Sequence, residues 1–228
     1  MLEDKKIFHF SKEDVDKKVF HTFLSNSGIS EDKPDYLSKI ERLEKTAIRY
    51  KQFADPLVDV RAVVAKADFS INGEKIIIGG KNYGRIALPK EELNKIKEIY
   101  AYVLCAGEFE TDIDPVTDAF VDLWGSAYCD TGLEMLKGEM DEIGGCDRYI
   151  SSFFGPGYFE IEVERVPHIN ELVDGKSIGV DVKEHLMVPL KSCAGFFLVS
   201  DEPIELPKKD CKNCLGNRKN CNYCNKLR

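Results

Sequence analysis

Asp114-Pro115 and Gly144-Gly145 bracket a stretch with no proline inside it. An aspartate before a first-turn proline starts a helix, and a glycine pair stops one. The spacing predicts a helix from there to about Met140, with Val116, Ala119, Phe120, Leu123, Trp124, Ala127 and Leu133 on its inner face. Earlier helices are expected over residues 11–27 and 34–53, the second ended by Asp55-Pro56. Val58, Val60, Ala62 and Val64 alternate with Asp59, Arg61 and Val63 as in a half-buried strand, and Asn72-Gly73 signals a hairpin. Pro89 opens a helix expected over Lys90–Ile99. IYAYVLCAG and CAGFFLV (residues 193–199) read as core strands, with a helix around Glu160–Val173 between them. Hairpins and helices in mixed order make the fold α+β with a mainly antiparallel sheet, not a doubly wound parallel one. There is no internal repeat, Walker A loop or dinucleotide fingerprint, and Gly79-Gly80 reads as a turn.

Composition sets further bounds. The 228 residues are 43% apolar and 32% charged, a soluble globular balance, and no apolar run approaches a membrane span. The acidic, signal-free start MLEDKKIFHF points to a cytoplasmic protein. Eight cysteines without an export signal point to reduced thiols and so to metal or redox chemistry. From Lys208 to Arg228 seven basic residues stand against one aspartate, a net of +6, which leaves −14 on residues 1–207 of a chain whose total is −8. Such an acidic body argues against nucleic-acid binding across the domain.

The basic end carries the most specific spacing in the chain. Cys211-x2-Cys214 and Cys221-x2-Cys224 are two knuckles six residues apart, able to supply four soft ligands to one metal. Zinc and a [4Fe–4S] cluster use the same four thiolates, and spacing does not choose between them. Residues 1–205 then form the body and 206–228 a metal-binding tail reached through LPKKD. Cys105 and Cys193 lie in apolar contexts and read as core. The four histidines show no ligand spacing, and EFETDIDPVTD reads as a solvated loop and helix N-terminus.

Gly155-Pro156-Gly157-Tyr158 is a rigid turn with two permissive glycines, where backbone can approach a ligand closely; an ordinary loop-to-helix connection would read the same. Here the sequence resembles a known family. Pro156-Gly157-Tyr158, Ile178-Gly179-Val180 and Met187-Val188-Pro189-Leu190-Lys191-Ser192 follow in the order seen in the activation domain of cobalamin-dependent methionine synthase. Gly107, Asp122, Gly125 and Ser126 fit the same family's strand, glycine and long-helix pattern. The resemblance implies an α+β domain around a twisted antiparallel sheet. In that family the domain binds S-adenosylmethionine and covers the corrinoid while Co(II) cobalamin is reduced by one electron and remethylated. It implies a corrinoid-binding protein or cobalamin-dependent methyltransferase as partner, which carries the cobalamin. Phe153, Gly155, Pro156, Gly157 and Tyr158 are the expected cofactor-facing residues, with Tyr158 in the active role.

One departure bears on the ligand. The family loop begins Arg-x-x-Pro-Gly-Tyr, and Phe153 stands where that arginine would be; Arg148 and Arg165 are elsewhere. S-Adenosylmethionine would need a rearranged set of residues here, whereas Phe153-Phe154 suits a flat apolar ligand such as a corrin edge, or core. Electron delivery from a tail cluster is then the expected contribution to reductive activation, and this favours iron–sulfur over redox-inert zinc. The alternatives are a zinc-bearing interaction module without redox activity, or a full S-adenosylmethionine-dependent reactivation domain with the ligand held by that rearranged set.

Overall fold

The computed structural model describes residues 5–26, 36–84, 86, 88–157, 161–204 and 206. In chain order, β1 (Lys6–Phe10) leads into α1 (Lys12–Asn26) and α2 (Tyr36–Ala54). Next come β2 (Val60–Ala67), β3 (Phe69–Asn72), β4 (Lys75–Ile78), β5 (Lys81–Asn82) and α3 (Lys90–Leu93). Then β6 (Glu98–Cys105), α4 (Pro115–Gly144), β7 (Tyr149–Ile150) and α5 (Val166–Val173) follow. Last are β8 (Asp181–Lys183), β9 (Leu186–Val188) and β10 (Ser192–Ser200).

An antiparallel sheet in the order β1-β2-β6-β10-β7 divides the core in two. One face, with Tyr100, Tyr102, Leu104 and Phe197, packs on Val15, Phe23, Trp124, Tyr128 and Leu136 of α1 and α4. The other, with Val63, Ala101, Val103 and Phe196, lies under α5 and the small β3-β4-β5 and β8-β9 sheets. Because both faces are covered, seven of the eight residues of β6 are buried, and the run EIYAYVLC is apolar rather than alternating. The same double cover buries Val63, so β2 is buried on both sides where the alternation suggested one.

Helix α4 is held at both ends as its sequence demands. The Asp114 side chain accepts from the N–H groups of Val116 and Thr117 at 2.9 and 3.1 Å, and Gly145 leaves the helix at φ +65°. Its inner face differs from expectation: Val116 is 54% exposed and Ala119 is exposed, while Val121, Trp124, Tyr128 and Leu136 carry the packing. Trp124 Nε1 donates to Ala47 O at 3.0 Å and the single O–H of Tyr128 is shared between Asp16 and Asp55, at 2.7 and 2.9 Å, tying α4 to its two neighbours.

Two other helices are shorter than expected. Helix α3 stops at Leu93 because 3-10-type bonds (Lys95 N to Glu92 O, Ile96 N to Leu93 O) turn the chain, and Lys97 N then joins Val199 O in the sheet. Helix α5 begins at Val166, where Pro167 fits the first turn; a 3-10 turn over Val163–Arg165 precedes it, so Glu162 is outside the helix. The β8-β9 hairpin had no sequence signal, since Glu184 and His185 take its positive-φ turn without an Asn-Gly pair. Among the described residues no helix is long and apolar enough to cross a membrane.

Candidate functional site at the open edge of the last strand

Strand β10 pairs with β6 from Ser192 to Val199 but with β7 only at Val199 and Ser200, and Phe154 bridges Phe196. Backbone groups alternate sides along a strand. Phe196 N donates to Phe154 O at 2.7 Å and Leu198 N to Ser151 Oγ at 2.9 Å, both on the outer side. The N–H and C=O groups of Ser192 and Ala194 therefore turn to the outer side as well, where no strand follows among the described residues. A cavity of about 360 Å³ lies along this open edge.

The glycine turn forms one wall, with Phe153, Phe154, Gly155 and Pro156. It seats against β10 because two glycines meet: a Cβ on Gly155 would stand 2.2 Å from Ala194 O, and one on Gly195 would stand 2.1 Å from Phe154 O. Gly157 turns the chain at φ +88° and donates its N–H to Ile161 O at 2.9 Å. Another wall is β9 with the turns on either side of it, contributing His185, Leu186, Met187 and Leu190. Leu186 and Leu190 are 62% and 63% exposed, leaving an apolar rim. Tyr102 and Cys193 from the sheet and Asp130 and Leu133 from α4 complete the lining. Asp130 Oδ2 accepts from Asn26 Nδ2 at 2.8 Å. Ser192 Oγ is buried beside this lining with no hydrogen-bond partner among the described residues.

Of the expected cofactor-facing residues, Phe153, Gly155 and Pro156 line the cavity, and Gly157 shapes the turn beside it. Tyr158 lies outside the described residues, as do Cys211, Cys214, Cys221 and Cys224. Arg148 is paired with Asp201 at 2.8 Å and Arg165 sits over the Tyr83 ring at 5.6 Å; neither lines the cavity, so neither takes the place of an arginine at Phe153. Asp130, Tyr102 and His185 were not expected there, because a helix face, a core strand and a hairpin turn bring them together only in the fold.

The other motif residues have structural roles. Lys191 Nζ pairs with Asp122 at 2.6 Å and bonds Ser126 Oγ at 3.0 Å, clamping α4 to the start of β10. Gly125 gives room to the lysine stem, since a Cβ there would lie 2.9 Å from Lys191 Cγ. Gly107, at φ +119°, lets the chain pass Leu57 O, which a Cβ would meet at 2.2 Å. The acidic run lines a separate open cavity of about 590 Å³, and its Asp114 is the α4 cap. Cys105 is buried and accepts the Gly107 N–H at 3.3 Å, as a core thiol. His168 holds Gly79 O at 3.2 Å and Tyr83 Oη at 2.7 Å, and burial, then nearby Lys81, lowers its pKa. Among the described residues no group of three or more His, Cys, Asp or Glu is placed to hold a metal.

No protein-family profile and no curated protein matches the chain. A solved structure does: the crystal structure of the MetH reactivation domain bound to AdoHcy, at 17% identity, covers 92% of this chain and 83% of its own with a TM-score of 0.61. The α+β architecture is that of the MetH reactivation domain, as the resemblance in sequence implied.

Proposed function

We propose that this chain assists the reactivation of a corrinoid cofactor carried by a partner protein, with the β10-edge cavity as its ligand site. The observation that carries the reading is the convergence of two sequence-distant motif segments, Phe153–Pro156 and Met187–Ser192, on one cavity at an unpaired strand edge. Its volume lies in the range of small-molecule sites. The exposed Leu186 and Leu190 rim gives a partner an apolar surface directly beside it.

The lining fits an S-adenosyl ligand of the kind bound by the MetH domain. The outward N–H and C=O groups of Ser192 would meet the hydrogen-bonding edge of a purine. Asp130 would hold the ligand's ammonium group, and the sulfonium of S-adenosylmethionine, by charge. Among the described residues the carboxylate end meets no arginine and only His185 as a basic neighbour, so it is the weaker end of the fit. S-Adenosylmethionine would supply the methyl group; the chain's own residues position it and turn the cavity mouth toward the partner. The tail cysteines Cys211, Cys214, Cys221 and Cys224 are proposed to hold a metal, a reading supported by their spacing and by the basic residues around them. A cluster there would deliver electrons, whereas zinc would only order the segment.

Calorimetric titration with S-adenosylhomocysteine tests the ligand, and Asp130→Asn is expected to weaken binding about tenfold, the size of one charged hydrogen bond. Reactivation of a corrinoid methyltransferase trapped as Co(II) tests the partner surface. There Leu190→Asp is expected to abolish reactivation and, because Leu190 also lines the cavity, to weaken the titration as well. Wild-type behaviour of both variants would sink the assignment of this cavity.

A further inference from the structure

The cavity wall contains a second chemical feature that the reading above does not use. Cys193 is partly exposed and lines the cavity; Cys129, on the buried face of α4, is closed off from solvent. Asp130 and Leu133, one and four residues beyond Cys129, line the same cavity. Helix α4 lies close on the sheet at this point. A Cβ on Gly132 would stand 2.6 Å from Val60 and 3.3 Å from Leu104, and Leu104 is the cross-strand partner of Cys193. Cys129 belongs to the apolar cluster on this face of the sheet and Cys193 packs against the same cluster, so the two thiols are neighbours.

We infer that Cys129 and Cys193 form a redox-active dithiol, a site for thiol–disulfide exchange with a low-molecular-weight disulfide that enters through the cavity. The roles follow from access. Cys193 is the thiol a small disulfide can reach, and its thiolate attacks one sulfur, forming a mixed disulfide and expelling one small thiolate. Cys129 then loses its proton and attacks the Cys193 sulfur, expelling the second thiolate. Two protein thiols are oxidised to one disulfide, and the small disulfide is reduced to two thiols that take up the two protons. The neighbouring Cys193 thiol, and then burial, push the Cys129 thiol up, in keeping with Cys193 rather than Cys129 as the first nucleophile. In a reducing compartment such a bond is transient, as redox-sensing pairs are. Once formed it joins α4 to β10 across the cavity wall, whatever ligand the cavity takes.

The test uses the full-length reduced protein and oxidised glutathione, followed by acid quenching, alkylation of the remaining thiols and peptide mapping. The expected product is a Cys129–Cys193 linked peptide, lighter by two hydrogens than the reduced pair and restored by dithiothreitol, with Cys105 still free. Cys129→Ala is expected to stop at a stable glutathione adduct on Cys193, and Cys193→Ala to leave Cys129 reduced. A lasting glutathione adduct on Cys193 of the wild-type protein, pairing of Cys193 with any other cysteine, or no reaction at either residue would overturn the inference. The wild-type map alone decides the matter should a variant fail to fold.

Discussion

Gly155 and Gly195 decide at the scale of single atoms whether the cavity exists. Each occupies space into which the other strand's backbone oxygen projects, so one added carbon on Gly155 meets Ala194 O at 2.2 Å. Gly155→Ala is expected to push the turn off β10, cost about 1–3 kcal/mol of stability and weaken S-adenosylhomocysteine binding; urea midpoints and calorimetry would show both. Gly138→Ala is the counterpart: a helical glycine with nothing within 4 Å of its Cβ position, expected to gain about 0.5–1 kcal/mol. The importance of Gly155 was legible in the sequence as a permissive turn. Its reason was not, since the contact partner, Ala194, lies in the last strand. Asp130 illustrates the same limit more sharply, because helical periodicity names the face a residue occupies and says nothing of what opens opposite it.

At the scale of elements, the three helices on one face of the sheet share a charged junction. Asp16 is partly buried, which works against its ionisation, but hydrogen bonds from Lys12, Lys51 and Tyr128 overcome this and bring its carboxyl down to about 2. A folded-state pKa below the unfolded value of 3.8 stabilises the fold above that value, and the contribution is lost as pH falls from there through about 2. Its size is about 2 kcal/mol. Asp16→Asn is therefore expected to be less stable than wild type in urea at pH 6, with the difference shrinking steadily toward pH 2; a constant difference would contradict this. Elements bounded by strong local chemistry, such as α4 between Asp114 and Gly145, were readable in advance. Elements ended by tertiary hydrogen bonds, such as α3 where Lys97 N enters the sheet, were not. The β8-β9 hairpin escaped notice for a related reason: Glu184 and His185 hold its turn without the residues that favour positive φ.

For the whole molecule, the contrast is between an acidic body and a basic, cysteine-rich end. Its four cysteines are best read by colour. Protein prepared without oxygen is expected to be brown and to bleach with dithionite if they hold a [4Fe–4S] cluster, and replacing Cys211 and Cys214 by serine is expected to abolish the colour. A colourless protein containing one zinc per chain would remove electron delivery from the function while leaving the cavity untouched.

The strand order has a consequence for synthesis. β6, at the centre of the sheet, pairs on one side with β2 and on the other with β10, the last strand among the described residues. As the polypeptide leaves the ribosome, the middle of the sheet stands complete on one flank and bare on the other until residue 200 has emerged. These long-range pairings make folding slow relative to a helical protein of the same length. A chain cut short before β10 is thus not a smaller version of this domain but one with its central strand laid open, a substrate for chaperones and a seed for association.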